Sequence, residues 1–203
     1  MDDSATRLVL GLGNPGPKYA DTRHNLGFRV VDALAGRLGL AVDRLECNAL
    51  VGGGRMGGPE AGGALLAKPL TYMNRSGHAA RCLLERRGLA PAAVLVIYDE
   101  ASLPLGRLRL RPAGGPGGHR GMESVIAALR TEEVARLRLG IAPEDGAPGG
   151  EELIDFVLEP FARDEREAAA AMVERAADAC RAWLEEGAEA AMNRFNQDRF
   201  DQG

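Results

Sequence analysis

The strongest constraint on the fold is a glycine- and proline-rich segment at residues 11–17, with the sequence Gly-Leu-Gly-Asn-Pro-Gly-Pro. It follows the apolar run Leu8–Leu10, which predicts a buried strand, and it precedes a helical apolar pattern over residues 26–38. Glycines at the spacing G-x-G-x-x-G between a strand and a helix are typical of dinucleotide-binding sites. Here Pro15 and Pro17 remove backbone donors that a phosphate needs, and the helix begins too late to meet one. The segment therefore argues against a dinucleotide, and its glycines are expected to allow a tight turn after the first strand.

Apolar runs alternate with helical patterns along the 203 residues. After the first strand, the clearest strand is Val94–Tyr98, a continuous apolar run expected where both faces of a strand are covered. Further strands are predicted at 48–56, 64–68, 107–111 and 136–141, with a glycine-rich turn at 57–59, and helices at 26–38, 74–87, 121–129 and over most of the last third. This order predicts an α/β fold. We expect a single domain over residues 1–203, with its core at 7–196, in which a mixed, twisted β-sheet is sandwiched between helices as three layers, α/β/α.

The composition argues against several classes of protein. No apolar run approaches the roughly 18 residues that a transmembrane helix needs, and Met1–Ser4 lacks the basic start of a secretory signal. The three cysteines, Cys47, Cys82 and Cys180, are odd in number and unclustered, so they are expected to be reduced, mostly buried thiols. The three histidines lie far apart in the sequence and no C-x-x-C occurs, so no metal site is expected. Together these features predict a cytoplasmic protein without a membrane anchor.

The net charge of −4 conceals an uneven distribution. Residues 103–122 contain no acidic side chain but four arginines, whereas residues 151–189 contain 12 acidic residues and 4 arginines. A basic face on an acidic protein favours a polyanionic partner bound at one place, rather than a general affinity for nucleic acid. A solvated surface with balanced neighbours explains the same pattern, so charge alone leaves both interpretations open.

Three polar residues are predicted to meet at one edge of the sheet. Asn14 follows the first strand, Asp99 follows the strand at 94–98, and His24 lies in the loop that leaves the first strand. In open α/β sheets, sites form outside the carboxyl ends of the strands. An aspartate that orients a histidine, with an amide nearby, can carry out general-base attack on a carbonyl group. No G-x-S-x-G motif is present, so water is the expected nucleophile.

Each of these residues also has a purely structural explanation. Asn14 precedes a proline and is a common turn former, while Asn25 and Asn74 are placed to cap helices. Asp99 would merely end a strand, and His24 would be a hydrogen-bonded surface residue. The glycine-rich stretch at 113–121 is either a flexible connection or a surface whose backbone N–H groups meet a ligand. Spacing along the chain does not decide between these alternatives.

Six blocks of sequence, in order along residues 7–160, resemble the bacterial peptidyl-tRNA hydrolase family. They are Val-Leu-Gly-Leu-Gly-Asn-Pro-Gly at 9–16, Thr-Arg-His-Asn-Leu-Gly at 22–27, Lys-Pro-Leu-Thr-Tyr-Met-Asn-Arg-Ser-Gly at 68–77, Tyr-Asp-Glu at 98–100, Gly-Gly-His-Arg-Gly at 117–121 and Arg-Leu-Arg-Leu-Gly-Ile at 136–141. Several ordered blocks are far more specific than any single motif.

The resemblance implies hydrolysis, without a cofactor, of the ester that joins a peptide to the 3′-terminal ribose of tRNA. It implies that His24 is the general base that activates water and that Asp99 orients this base and stabilises its charged form. It also implies that Asn14 and Asn74 hold substrate and water near the scissile carbonyl. The binding residues that it implies are Tyr19, Asn25, Met73, Asn74 and His119 along the substrate cleft, and Arg111 and Arg138 at tRNA phosphates. The implied partner is the acceptor stem and CCA end of peptidyl-tRNA, bound by a monomer.

Two positions depart from the usual pattern of that family. Arg120 stands where the family most often has asparagine, so a guanidinium that only donates hydrogen bonds replaces an amide. We expect Arg120 to bind the peptide carbonyl or the RNA backbone instead. Ser102 stands where an acidic residue is common. Neither change affects His24 or Asp99, which argue for an enzyme and against the alternative of a non-catalytic RNA-binding protein on the same fold.

Overall fold

The computed structural model describes residues 6–56 and 62–197, so the predicted turn at 57–59 lies outside the described residues. The strands are β1 (Arg7–Gly11), β2 (Arg44–Glu46), β3 (Ala49–Arg55), β4 (Gly63–Pro69), β5 (Val94–Pro104), β6 (Leu108–Arg111) and β7 (Ala135–Ala142). The helices are α1 (Leu26–Leu38), α2 (Ser76–Arg87), α3 (Arg120–Leu129), α4 (Glu152–Leu158), α5 (Arg166–Glu186) and α6 (Ala188–Phe195). Short 3₁₀ turns precede α1 and α2, at Arg23–Asn25 and Met73–Arg75.

The described strands form one seven-stranded mixed sheet in the order β2-β3-β4-β1-β5-β7-β6. The four central strands are parallel, because β1 pairs in parallel with β4 and β5, and β5 with β7. The outer strands β2, β3 and β6 are antiparallel to their neighbours. The predicted mixed sheet is therefore confirmed.

Alternate residues of the central strands face two separate apolar cores, as strand geometry requires. On one face, Val9 and Ile97 pack with the apolar sides of α1, α5 and α6. On the other face, Leu8 and Val96 pack with α2 and α3. Helices thus cover both faces of the sheet, and the three-layer α/β/α architecture is confirmed.

The structure differs from the sequence prediction in three elements. Strand β2 was not predicted, and helix α4 was not distinguished within the helical last third, because each is short and neither carries a long periodic pattern. Strand β5 extends to Pro104, well beyond the apolar run, so Asp99 lies within the strand rather than after it. The pairing of β5 with β7 becomes irregular between Glu100 and Pro104, which marks the part of the strand that leaves the core.

Most glycines around the end of β1 do not form the predicted tight turn. They leave room for the backbones of two segments to pack closely together. A Cβ on Gly11 would lie 2.2 Å from the carbonyl oxygen of Gly27, and one on Gly27 would lie 2.4 Å from the backbone nitrogen of Leu12. A Cβ on Gly13 would meet the ring of Phe28 at 2.8 Å. Among the glycines at residues 11–16, only Gly16, with φ of 106°, has the positive φ that favours glycine. Gly11, Gly13 and Gly27 are therefore needed because α1 packs directly on the backbone that leaves β1.

The prediction of three reduced cysteines is wrong for two of them. Cys47, in the turn between β2 and β3, forms a disulfide with Cys82 of α2, and their Cα atoms lie 5.7 Å apart. The fold brings these residues together across 35 positions of sequence, which no spacing rule indicates. Cys180 is free and buried, and burial raises the pKa of its thiol. The cysteines therefore no longer support the predicted cytoplasmic location.

Within residues 6–56 and 62–197, no helix combines the length and the apolar character that crossing a bilayer requires.

The close packing of α1 predicts opposite outcomes for two glycines of the same helix. Gly27→Ala should lower the free energy of unfolding by at least about 2 kcal/mol, because its Cβ would overlap backbone atoms that cannot yield. Gly36→Ala should raise it by about 0.5–1 kcal/mol, because Gly36 has open space around it and alanine favours helix. Urea unfolding of both variants measures the contrast, and equal effects would contradict the packing argument.

Candidate active site

The carboxyl ends of the parallel strands open into a cleft of about 420 Å³. The residues that line it come from the turn after β1, the turn after β4, strand β5, the loop before α3, and α4. They are Asn14, His24, Tyr72, Met73, Asn74, Asp99, Glu100, Ala101, Gly117, Gly118, His119, Arg120, Gly150, Leu153, Ile154, Val157 and Leu158. Residues from across the chain thus meet at the edge where sites of open α/β sheets are expected.

His24 and Asp99 are in direct contact at the base of this cleft. The Nδ1 of His24 lies 2.9 Å and 3.0 Å from the two carboxylate oxygens of Asp99. Because an ionised carboxylate only accepts, Nδ1 carries the proton and donates it to Asp99. The other ring nitrogen, Nε2, is then unprotonated in neutral His24, which lines the cleft. This is the arrangement in which a histidine takes a proton from water.

A second histidine binds the same carboxylate. The Nε2 of His119 lies 3.2 Å from Asp99 Oδ1, and its Nδ1 accepts a hydrogen bond of 3.1 Å from the backbone N–H of Met122. His119 is the N-cap residue of α3, so its ring is held by the first turn of that helix. Its Nδ1 is therefore an acceptor and its Nε2 donates to Asp99. The sequence predicts that His119 lines the cleft, but nothing in the sequence indicates its contact with Asp99.

The two histidines determine the ionisation of Asp99. Asp99 is almost completely buried, and burial alone would raise its pKa. Attraction to His24 in its protonated form and the hydrogen bonds from both histidines outweigh burial and hold the pKa of Asp99 well below its ordinary value. Asp99 is therefore a carboxylate at neutral pH and accepts from both imidazoles.

Asn14 is fixed in a single orientation. Its side-chain oxygen accepts a hydrogen bond of 2.8 Å from the backbone N–H of Met73. Its own backbone N–H donates to Asn25 Oδ1 at 2.8 Å, and its carbonyl accepts from Asn25 Nδ2 at 3.0 Å. Because the oxygen is engaged, the amide group that Asn14 offers to the cleft is its Nδ2 donor. The geometry suits donation to a carbonyl oxygen or to water.

Two of the predicted cleft residues lie elsewhere. Asn25 is buried, and both ends of its side chain bind the backbone of Asn14, so it closes the loop from 14 to 25 instead of facing substrate. Tyr19 does not line the cleft, and its ring contacts the ammonium of Lys18, 4.6 Å from the ring centre. Neither Asn25 nor Asn74 forms a side-chain cap on α1 or α2, so the capping explanation is excluded for both.

The predicted arginines occupy different surroundings. Arg138 forms an ion pair with Glu100 at 2.7 Å, and Arg111 is exposed on β6. Arg120, also exposed, lines the cleft, as does its neighbour His119. Ser102, where an acid would be usual, donates from its hydroxyl to Glu100 at 2.7 Å.

The apolar wall of the cleft was not predicted. Leu153, Ile154 and Val157 of α4 line it, and Tyr72 is exposed at the same cleft. The signal present in the sequence was the cluster of apolar residues between 153 and 158, too short for a periodic pattern to be identified.

The same centre contains the only described group of side chains suited to a metal ion. One ligand atom from each of His24, Asp99 and His119 lies within 4.8 Å of the others. Nδ1 of His24 and Nε2 of His119 already lie at hydrogen-bond distance from Asp99, so a metal would have to displace the protons between them. The absence of a metal and of a cofactor stays a prediction.

A histidine whose Nδ1 donates to a carboxylate, with a fixed amide donor nearby, is an arrangement found in hydrolases that activate water for attack on a carbonyl group. The comparisons identify which hydrolase. The family model described as "Peptidyl-tRNA hydrolase" matches residues 8–202. The chain therefore belongs to the peptidyl-tRNA hydrolase family.

Individual relatives agree with this assignment. The chain is 50% identical to the peptidyl-tRNA hydrolase of Moorella thermoacetica over 93% of this chain and 97% of the relative. It is 48% identical to that of Symbiobacterium thermophilum over 94% and 98%. The crystal structure of peptidyl-tRNA hydrolase from Acinetobacter baumannii superposes with a TM-score of 0.86 at 32% identity, covering 97% of each chain. The family predicted from the sequence is confirmed.

The contrast between two asparagines tests the structural role of Asn25. Asn25→Ala should lower the free energy of unfolding by about 2 kcal/mol or more, because it leaves a buried donor and acceptor of Asn14 without partners. Asn74→Ala, at an exposed position, should change it by no more than about 0.5 kcal/mol. Guanidinium unfolding measures both, and an Asn25 variant as stable as wild type would contradict this role.

The lowered pKa of Asp99 predicts a pH-dependent stability. Asp99→Asn should be less stable than wild type at pH 5, and the difference should shrink by pH 3. The unfolded chain binds the Asp99 proton more readily than the folded protein does. The stabilisation is therefore complete above the ordinary aspartate pKa and is lost as acid protonates the folded carboxylate. Denaturant unfolding at the two pH values measures this, and a difference that grows at pH 3 would have the wrong sign.

Proposed function

We propose that this protein hydrolyses the ester bond between a peptide, or an N-blocked aminoacyl group, and the 3′-terminal ribose of tRNA. The observation that carries the proposal is the contact between His24 Nδ1 and Asp99 in a cleft that His24 lines. In this chemistry His24 Nε2 takes a proton from water while the water oxygen attacks the carbonyl carbon. The tetrahedral intermediate then breaks its bond to the ribose oxygen, which receives the proton from His24. The products are a tRNA with a free hydroxyl and a peptide carboxylic acid, which ionises by releasing its proton to solvent.

Three side chains are proposed to assist these steps. Asn14 donates from Nδ2 to the developing oxyanion or positions the attacking water, which its fixed orientation supports. Asn74, exposed at the cleft beside Met73, is proposed to hold the substrate. His119 donates to Asp99 and so keeps this carboxylate oriented and ionised while His24 gains and loses its proton.

The tRNA is proposed to approach across the arginine-bearing side of β6 and β7. Arg109 lies opposite Arg138 in the antiparallel ladder, so the positive charges of the two strands are close together. Arg111 and Arg138 are proposed to contact phosphates of the acceptor stem while the CCA end enters the cleft, where Arg120 binds the RNA backbone or the peptide carbonyl. Phosphate contacts provide affinity that depends on salt but not on sequence, as an enzyme that accepts many tRNAs requires. A monomeric state and a cytoplasmic location are part of the proposal.

The test compares two histidines. His24→Ala should reduce turnover of N-acetyl-aminoacyl-tRNA by about two to four orders of magnitude, the usual scale for losing a general base, with little change in tRNA binding. His78→Ala, which removes an exposed histidine of α2 outside the cleft, should turn over like wild type. Release of the acylated amino acid measures the rate. Near-normal turnover by His24→Ala would refute the mechanism, and wild-type protein that binds tRNA without cleaving it would indicate an RNA-binding protein.

A further inference from the structure

Helix α4 forms a wall of the cleft, yet it has little core of its own. Leu153, Ile154 and Val157 face the cleft, and none of the residues of α4 is fully buried. Ile154 is 44% exposed. A seven-residue helix with so little buried apolar surface gains little stability from propensity or from packing. Besides the packing of Phe156 and Val157 against the apolar core, its position therefore depends on polar contacts to the rest of the protein.

Those contacts converge on one side chain, Arg23. Its Nη1 donates to the carbonyl oxygens of Phe156, Glu159 and Pro160 at 3.3, 3.4 and 3.1 Å, at the carboxyl-terminal end of α4. These carbonyls belong to the last turn and the residues after it, where a helix leaves acceptors without partners and where a cation is favourable.

The guanidinium of Arg23 is also enclosed on its other sides. Its carbon lies 4.2 Å from the ring centre of Phe156 and 5.1 Å from that of Phe161. Its Nη2 forms an ion pair of 2.7 Å with Glu165, whose carboxylate also accepts from the backbone N–H of Ala162. The residue is only 5% exposed.

The backbone reinforces the same connection. The N–H of Arg23 donates to the carbonyl of Glu159 at 3.0 Å, and Thr22 forms an isolated bridge with Pro160. The next residue after Arg23 is His24. The short segment at residues 22–24 therefore carries the proposed base and also binds the carboxyl-terminal end of α4.

We propose that Arg23 is a positioning residue that fixes the α4 wall of the cleft relative to the His24–Asp99 pair, and so sets substrate binding without taking part in proton transfer. The proposal rests on the proposed function for its kinetic consequences, but the placement of α4 by Arg23 is measurable without substrate. No atom of Arg23 lines the cleft, so its effect on substrate must act through α4.

The first experiment measures hydrogen exchange of the α4 amides in the free protein. Arg23→Lys keeps the positive charge next to Glu165, but an ammonium does not span three carbonyls in a planar fork or stack between two rings. Exchange over residues 152–158 should become about tenfold faster or more, while exchange in β1 and β5 stays unchanged. Arg163→Lys, an exposed arginine in the loop before α5, is the matched control and should behave like wild type. Unchanged α4 exchange in Arg23→Lys would overturn the proposal.

The second experiment measures kinetics with peptidyl-tRNA. For Arg23→Lys, KM should rise about tenfold, kcat should stay within about threefold of wild type, and the midpoint of the pH profile of kcat should not move. A fall in kcat with a shifted midpoint would overturn the proposal, because Arg23 would then act on the base itself. Inactive wild-type protein would refute the proposed function, while the exchange result would still stand.

A third variant covers the case in which Arg23→Lys does not fold. Glu165→Gln removes the countercharge but preserves the shape of the side chain and the contacts of Arg23 with the α4 carbonyls. Exchange in α4 and KM should both change in the same direction as for Arg23→Lys, and by less. If a folded Glu165→Gln protein showed wild-type exchange in α4 and a wild-type KM, the proposed positioning of α4 by Arg23 would be contradicted.

Discussion

The site depends on the absence of two side chains, at Gly11 and Gly27. Their backbones touch, so α1 lies directly on the end of β1 with no layer of side chains between them. The amide of Leu12 then continues the sheet by donating to Ile97 at 2.9 Å, and Asn25 closes the loop by binding both backbone groups of Asn14. Between these fixed points the chain has little freedom, and His24 is delivered beside the carboxylate of β5.

The parts of the fold that were predictable were those with a local signal. The helical pattern at 26–38 predicted helix α1, because burial of one helix face repeats with a fixed period. The continuous apolar run at 94–98 predicted strand β5, because both faces of that strand are covered. It was also predictable that Asn14, His24 and Asp99 lie close together, because parallel strands present their carboxyl ends at one edge of the sheet. Ordered sequence blocks, rather than periodicity, indicated the family.

What was not predictable depends on contacts between distant residues. The disulfide of Cys47 joins a hairpin turn to α2, and the second bond to Asp99 comes from an N-cap histidine, His119. The sequence also could not assign different surroundings to alternating arginines. Arg136 is buried and binds the carbonyls of Gly114, Gly115, Glu132 and Val134 around the glycine-rich loop, whereas Arg138, two residues later, pairs with Glu100. Counting arginines therefore overstates the basic surface available to RNA.

The carboxylate shared by His24 and His119 has a consequence for the energetics of the proposed reaction. With both imidazoles neutral, this group of three side chains carries one negative charge. When His24 takes the proton from water, that group becomes neutral, and the negative charge appears instead on the substrate oxygen, beside the amide of Asn14. The total charge enclosed by the cleft is the same before and after the attack. The protein therefore needs to relocate a charge over a short distance within the cleft, and does not need to create one beside the buried carboxylate.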